Sequence, residues 1–544
     1  MLGGLSQRLH NARTLAEAGI IRPARPDRLL RVARALHRFG PTPAAGYEAC
    51  AARYPHQPGI IDELGTLTFE QIHHRTNALA HAFADAGIVE GDGVAVMCRN
   101  HRFFVDATVA CSKLGANALF LNTMFAAPQI TDVVKREGPR AIVFDEEFAD
   151  LVHDAATRRK RFIAWHEQES RLDDPTLESL IENGDTEDVV PPTEKGRVTI
   201  LTSGTTGTPK GAARSQPETL DPAASLLSKI PLHARERTMI AAPMFHSWGY
   251  AHFTLGMALS STLVLRRKFD PEGTLSATAQ HRCTALIVVP VMLQRILDLG
   301  DDVISRYDLS DLRVIAVSGS ALPGELATRV MDTFGDVLYN LYGSTEVANA
   351  SVATPAELRR APGTVGRPPV GCRLVLYDEQ RNRVTAPNVP GTIFVSTGLS
   401  FAGYTDGGHK EIVDGMVCTG DVGHFDAEGL LFVDGRDDEM IVSGGENVFP
   451  KEVEDLLARH EAVSDVAAVG VDDKDFGQRL RAFVVLESGK KATEDDLKGY
   501  VKQNLARYKV PREIVFIDEL PRNATGKVLK RELVEEEAGE KATK

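Results

Sequence analysis

The segment VTILTSGTTGTPKG, residues 198–211, decides how this chain is read. Its first four residues form a short apolar run that suits a buried strand. The rest are mostly hydroxyls and glycines, ending in Lys210 and Gly211. Glycine lets backbone N–H groups turn toward an anion with no Cβ in the way. Hydroxyls add donors, and the lysine adds charge. A ligand loop at the carboxyl end of a buried strand is typical of open α/β sheets. The composition describes a cradle for polyphosphate. It is not the loop of motors and GTPases, G-x-x-x-x-G-K-[ST], because Pro209 precedes Lys210 and Gly211 follows it; G-x-G-x-x-G is also absent from it. The segment implies a nucleotide triphosphate handled in some other way.

Outward from this segment, apolar runs alternate with amphipathic stretches. Residues 93–98, 141–144, 238–242, 286–289 and 314–317 read as buried strands, and 79–86, 103–114 and 325–333 as helices. Such alternation argues for parallel α/β layers. From 364 to 433 the pattern turns to short strands punctuated by Gly and Pro, a smaller β-rich subdomain. A boundary falls at 435–439. Beyond it come a helix at 450–459 with Pro450 at its start, strands at 466–471 and 482–486, a helix at 493–505 with Thr493 as N-cap, and a strand at 514–517. This is an α+β unit of about 110 residues, a size that folds independently. The expected organisation is an N-terminal helical extension (1–46), a large α/β domain with its β-rich subdomain (47–435), a small C-terminal domain (436–534) and a charged tail (535–544).

The extension carries a helix at 27–39, with Leu29, Val32, Ala33 and Leu36 at helical spacing beside Arg28, Arg31, Arg34 and Arg38. A basic amphipathic helix can lie on an anionic membrane. The short stripe favours packing on its own domain, with the arginines in water.

The chain has 544 residues, too many for one ordinary core. Hydrophobic residues are 43% and charged residues 25%, the balance of a globular protein. A net charge of −13 argues against general nucleic-acid binding. An anionic substrate must therefore be captured by local positive charge. The six cysteines (50, 98, 111, 283, 372 and 418) form no C-x-x-C, and no His cluster has zinc spacing, so reduced, mostly buried thiols are expected. Residues 1–25 hold no apolar core of signal-peptide length, and the apolar run 285–293 is broken by Pro290. The expectation is a cytoplasmic protein.

Seven motifs now stand in order: TSGTTGTPKG at 202–211, PMFHSWG at 243–249, SGSALP at 318–323, YGSTE at 342–346, TGD at 419–421, GRDDEMIVSGGENVFPKEVE at 435–454 and PRNATGK at 521–527. In this set the chain resembles acyl-CoA synthetases of the adenylate-forming superfamily, from about residue 47 to 533. The resemblance implies a carboxylic acid activated by ATP as acyl-AMP, with pyrophosphate released, and then transferred to coenzyme A. It implies that Thr202, Ser203, Gly204, Thr205, Thr206 and Gly207 hold the β- and γ-phosphates, and that Lys210 accompanies the pyrophosphate. Glu346, with Thr206, would hold Mg²⁺, a hard cation that takes oxygen ligands. Thr345 would touch the α-phosphate, with Gly343 and Ser344 beside it. Tyr342 would stack on adenine in a slot lined by Gly319, Ser320 and Ala321; relatives often carry a second glycine at 320. Asp421 would accept from both ribose hydroxyls, and Arg436 would contact the ribose or phosphate.

Lys527 is the expected catalytic lysine, held on a polar, glycine-containing turn, where it would stabilise charge developing between the α-phosphate and the attacking carboxylate. The resemblance also implies a mobile C-terminal domain that turns about Asp438 after adenylation. The turn would bring Gly445 toward the pantetheine tunnel. Common relatives carry Lys-Asp where this chain has Asp438-Glu439. His246 would line the acyl site and gate it, with Trp248, Gly249, Tyr250 and the strand 314–318 as its borders. The MFHSWGY context suggests an apolar tunnel, and no cation is visible in the sequence to neutralise a second carboxylate. A medium- or long-chain fatty acid is the first reading. An aryl or alicyclic acid, or a stand-alone acyl-AMP ligase serving a carrier protein, is the alternative. A homodimer and a weak peripheral membrane contact remain open; no nucleic acid is expected.

Overall fold

The computed structural model describes residues 2–167, 170, 172–202, 210–214, 219–397, 401–404, 409–436, 439–443, 446–473, 477–505 and 509–534. The apolar runs at 141–144 and 314–317 become strands with the same bounds, Ala141–Phe144 and Val314–Val317, buried at every residue. Strands covered on both faces have no wet side to alternate with, so they read as continuous apolar runs. Their neighbours are also parallel. One sheet runs Ala348–Ala353, Leu338–Ser344, Val314–Val317, Ala285–Val288, Arg237–Ile240, Thr262–Leu265, Pro58–Asp62 and Gly65–Thr68. Its six inner strands are parallel, and the two outer pairings are antiparallel. The carboxyl ends of its strands therefore deliver their loops to one edge.

The second sheet contains Val198–Thr202, parallel to Asn117–Phe120 and antiparallel to Lys210–Arg214. Thr202 stands opposite Lys210 in this register, so the polyphosphate segment connects two paired strands. The connection, including Ser203, Gly204, Thr205, Thr206 and Gly207, lies outside the described residues, as do the side chains of Thr202 and Lys210. A third sheet, Arg373–Tyr377 through Leu431–Arg436, is the β-rich subdomain. The fourth belongs to the C-terminal unit, where Gly477–Leu486 pairs antiparallel with Val463–Asp473 and parallel with Glu513–Phe516. Its helix Glu494–Asn504 opens on Thr493, whose hydroxyl accepts from Asp496 N, the N-cap that the sequence suggested.

Several expectations need correction. The helix expected at 79–86 is the second half of Phe69–Asp85; Thr68 and Gln71 close a capping box at its start. The strand expected at 238–242 ends at Ile240. The helix expected at 450–459 ends at Leu457.

Three helices precede the first strand: α1 (Leu2–Glu17), α2 (Pro26–Phe39) and α3 (Pro43–Arg53). On α2, Ala35 and Phe39 are buried. Arg38 is held by Glu48 (3.0 Å), Asp188 (2.9 Å) and the Val189 carbonyl (2.6 Å), so this arginine is a clamp and not a solvated charge. Leu29 and Leu30 remain exposed. Among the described residues, no helix is long and apolar enough to cross a membrane.

Cys50, Cys98, Cys111 and Cys283 are buried, and Cys372 and Cys418 are half-buried. Cys98 lies in a buried cluster with His101 and Asp145. There the His101 Nε2 faces Asp145 at 2.8 Å, and its Nδ1 accepts from Phe103 N at 3.2 Å. Both ring nitrogens are thus engaged in holding the start of the helix Arg102–Leu114.

The helix Ser247–Leu259 buries His252, whose Nδ1–H donates to the Trp248 carbonyl (3.2 Å). Burial lowers its pKa to about 4, against about 6.5 in an unfolded chain. Between these values the unfolded chain binds more protons, so stability falls as pH falls through that window. The thermal midpoint is expected to drop from pH 7 to pH 5, with a shallower drop in His252→Gln. Parallel profiles for the two proteins would refute this assignment.

Candidate functional site

One cavity of about 1410 Å³ runs along the carboxyl edge of the first sheet and into the cleft beneath the C-terminal unit. The strands Val314–Val317 and Leu338–Ser344 deliver two of its walls: Gly319, Ser320 and Ala321 after the first, and Tyr342 to Glu346 at the end of the second. Gly319 has φ +99°, a conformation that favours glycine. Gly343 could not carry a side chain, because a Cβ there would lie 1.8 Å from the Ala348 carbonyl oxygen. Ser344 Oγ accepts from the backbone N–H groups of Glu346 (3.2 Å) and Val347 (3.4 Å), which fixes the turn that carries Glu346 into the cavity lining.

The third sheet supplies the opposite wall. Asp421 and Arg436 are cross-strand neighbours, with Arg436 Nη1 3.9 Å from the carboxylate. The Tyr342 hydroxyl donates to Asp421 at 2.5 Å. Burial raises the pKa of Asp421 against the opposing pull of Tyr342, Arg436, Lys527 and Lys410. Burial, and then Asp421, pushes the Tyr342 phenol well above its ordinary value. The Tyr342–Asp421 bond joins residues 79 apart in sequence, a link that no local pattern shows.

Lys527 reaches this wall from the C-terminal unit. Its turn is organised by Asn523, whose side-chain oxygen accepts from Thr525 N (3.0 Å), Thr525 Oγ1 (2.8 Å) and Lys527 N (2.9 Å). Arg522 donates to the Gly526 carbonyl and to Asp465 (2.6 Å), bracing the same turn. Thr525 lies over Gly319, and Gly526 is buried against Val291. Lys530 bonds Glu439 (3.0 Å) and Glu454 (2.9 Å) and ties the turn's far side to the linker. The sequence singled out Lys527 but not Asn523, Gly526 or Lys530; the PRNATGK motif was the only signal for the first two, and Lys530, three residues beyond it, had none. Asp438 and Gly445 lie outside the described residues.

A second arm of the cavity is apolar and starts at His246, the residue before the helix Ser247–Leu259. Burial lowers the His246 pKa to about 4, so the imidazole is neutral at pH 7. Its buried Nε2 has no hydrogen-bond partner among the described residues. Trp248 lines the arm and is locked by its indole N–H donating to the Val288 carbonyl (3.1 Å). Tyr250, two residues further on, also lines it. Two expected borders are corrected. Gly249 does not line the cavity: it packs against the Pro243 and Ala242 carbonyls, where a Cβ would lie 2.3 Å from the Pro243 oxygen. Of the strand expected at the border, only Ser318 lines the cavity, because Val314–Val317 is enclosed in the sheet.

Residues 47–405 match the family model described as AMP-binding enzyme, and 452–527 match that of the AMP-binding enzyme C-terminal domain. The chain is 30% identical to the fatty acid–[acyl-carrier-protein] ligase ScoC of Streptomyces coeruleorubidus, over 91% of this chain and 96% of that protein. It is 33% identical to the indoleacetate–CoA ligase of Aromatoleum aromaticum, over 85% of this chain and 92% of that one. Among solved structures, it superposes on the o-succinylbenzoate CoA synthetase of Bacillus subtilis in complex with its acyl-adenylate. The TM-score is 0.78 at 25% identity, over 90% of this chain and 97% of that one.

Proposed function

The chain belongs to the AMP-binding enzyme family, acid–thiol ligases of the adenylate-forming superfamily, and from that premise we propose that it is an ATP-dependent acyl-CoA synthetase for a medium- or long-chain fatty acid. One observation carries the reading. A single cavity joins the Tyr342–Asp421–Arg436 wall and Lys527 to an apolar arm, with His246 at their junction. A carboxylate placed at the junction has its tail in the arm and its oxygens toward the α-phosphate.

In the first step a carboxylate oxygen bonds to the α-phosphorus, the bridging α–β P–O bond breaks, and pyrophosphate leaves. Asp421 receives the ribose hydroxyls, and its Tyr342 bond keeps the base slot and the ribose site in fixed relation. Thr345 and Lys527 meet the charge that builds at the α-phosphate. Thr202, Ser203, Gly204, Thr205, Thr206, Gly207 and Lys210 attend the departing pyrophosphate. Glu346, turned toward the cavity by Ser344, offers a hard oxygen donor that fits Mg²⁺, with Thr206 as second ligand. The ion would supply neutralisation of phosphate charge. In the second step the thiol of coenzyme A gives its proton to solvent, its sulfur attacks the acyl carbonyl carbon, the acyl–phosphate C–O bond breaks and AMP leaves; Gly445 and the Asp438 hinge serve that step. His246 is assigned no proton transfer and acts as a gate.

An aryl or alicyclic acid is the second reading. The indoleacetate ligase relative and the rigid Trp248 wall favour it. The deciding measurement is pyrophosphate release with fatty acids of graded length, aromatic acids and ring-bearing acids, each with and without coenzyme A. Fatty acids of eight or more carbons are expected to give the highest kcat/KM, and coenzyme A to accelerate AMP release. Release confined to aromatic acids would overturn the substrate reading. Indifference to coenzyme A would point to a carrier-protein acceptor.

A further inference from the structure

The apolar arm does not stop at Tyr250. It continues past Ala45 and Ala49 of α3 to Val32 and Leu36 of α2 and to Ile20. The family match begins at residue 47, so α1 and α2 stand before it. Yet they are built into the arm and not appended to it. Phe39 and Ala35 anchor α2 in the core, and Arg38 is clamped by Glu48 and Asp188. Arg53 Nη1 donates to the Ile20 carbonyl (3.3 Å), and Ala234 N donates to that of Ala18 (2.8 Å). The groove exists because α3 carries small side chains there. At Gly46, α3 and the helix Ser247–Leu259 close together, with Met257 Sδ 3.0 Å from where a Cβ would lie. Leu36 lines the arm and is also 47% exposed, which places it at the rim where the arm meets solvent.

We propose that α2 is the tail-end wall of the acyl site, with Val32 and Leu36 meeting the distal carbons of a long-chain acid and setting its preference over a medium-chain one. The proposal rests on the fatty-acid reading above. Each methylene that a tail takes out of water adds about fourfold to binding, so a tail that reaches α2 gains over one that stops near Tyr250. A bulky group at the rim removes that gain for long tails first.

The test is kcat/KM for pyrophosphate release with an eight-carbon and a sixteen-carbon acid, in the wild-type full chain and in Val32→Trp and Leu36→Trp. The long-to-medium ratio is expected to fall at least tenfold in each variant. The milder Leu36→Phe is expected to lower it severalfold and serves if either Trp variant fails to fold. An unchanged ratio in folded variants, or equal losses with both acids, would overturn the proposal. Should the wild type release pyrophosphate with aromatic acids alone, the fatty-acid reading fails first; that failure is visible before any variant is made.

Discussion

Lys527→Ala is expected to lower acid-dependent pyrophosphate release by about 10²–10³-fold, the usual effect of deleting one donor aimed at developing charge. Thioester formation from supplied acyl-AMP and coenzyme A is expected to stay within about threefold of wild type. The asymmetry comes from where the lysine stands. Lys527 sits on a turn whose shape is fixed from within, by Asn523 and Arg522, so its removal leaves the turn intact. Its charge acts on the Asp421 side of the cavity, where the opposing effect of burial is strong enough to raise that carboxylate's pKa. Lys527 itself is exposed, so its effect comes from the buried ground that it faces and not from burial of the lysine. Single-turnover assays of the two half-reactions make the check. Equal loss in both would mean that the lysine serves the fold of the cleft and not adenylation.

Some of this site was legible in the chain because its signals are local. The strand-then-glycine pattern at 198–211 needs only its neighbours, and the buried parallel strands announce themselves as unbroken apolar runs. Other parts had no local signal. The helix Ser247–Leu259 is buried on one side by the core, including Phe253 and Leu259, and lines the acyl arm with Tyr250 and Thr254 on another. It therefore lacks the polar face that marks an amphipathic helix. Gly249 was read as a pocket residue from its motif, but its role is close backbone packing on Pro243. A glycine's letter does not distinguish a ligand-facing gap from a protein-filled one. The Tyr342–Asp421 bond and the seat of α2 on the acyl arm come from tertiary placement alone.

The same limit applies to Gly526, where the second large effect is expected. Gly526 has φ +79° and is buried; a Cβ built on it would lie 2.4 Å from Val291 Cγ1 and 3.0 Å from Val291 Cβ. Val291 belongs to the helix Pro290–Leu297 and packs against the main core, so its short branched side chain has little room to retreat. Gly526→Ala therefore forces the turn 523–527 away from the N-terminal domain, on top of the ~1 kcal/mol or more that a non-glycine residue loses at positive φ. Lys527 is the next residue and moves with it. A displacement of about 1 Å at a positioned catalytic group can cost about 10² in rate, so adenylation is expected to fall by roughly that factor. Under the proposed rotation about Asp438 the turn leaves the cleft for the second half-reaction, so thioester formation should be spared. Val291→Ala alone is expected to stay within about threefold of wild type, because it only removes the Cγ atoms. Combined with Gly526→Ala, it is expected to return most of the lost adenylation, a non-additivity that marks two residues in direct contact. Full activity in Gly526→Ala would show that the turn does not dock on Val291 when acid and ATP react. Failure of Val291→Ala to rescue would place the whole effect in the strained φ.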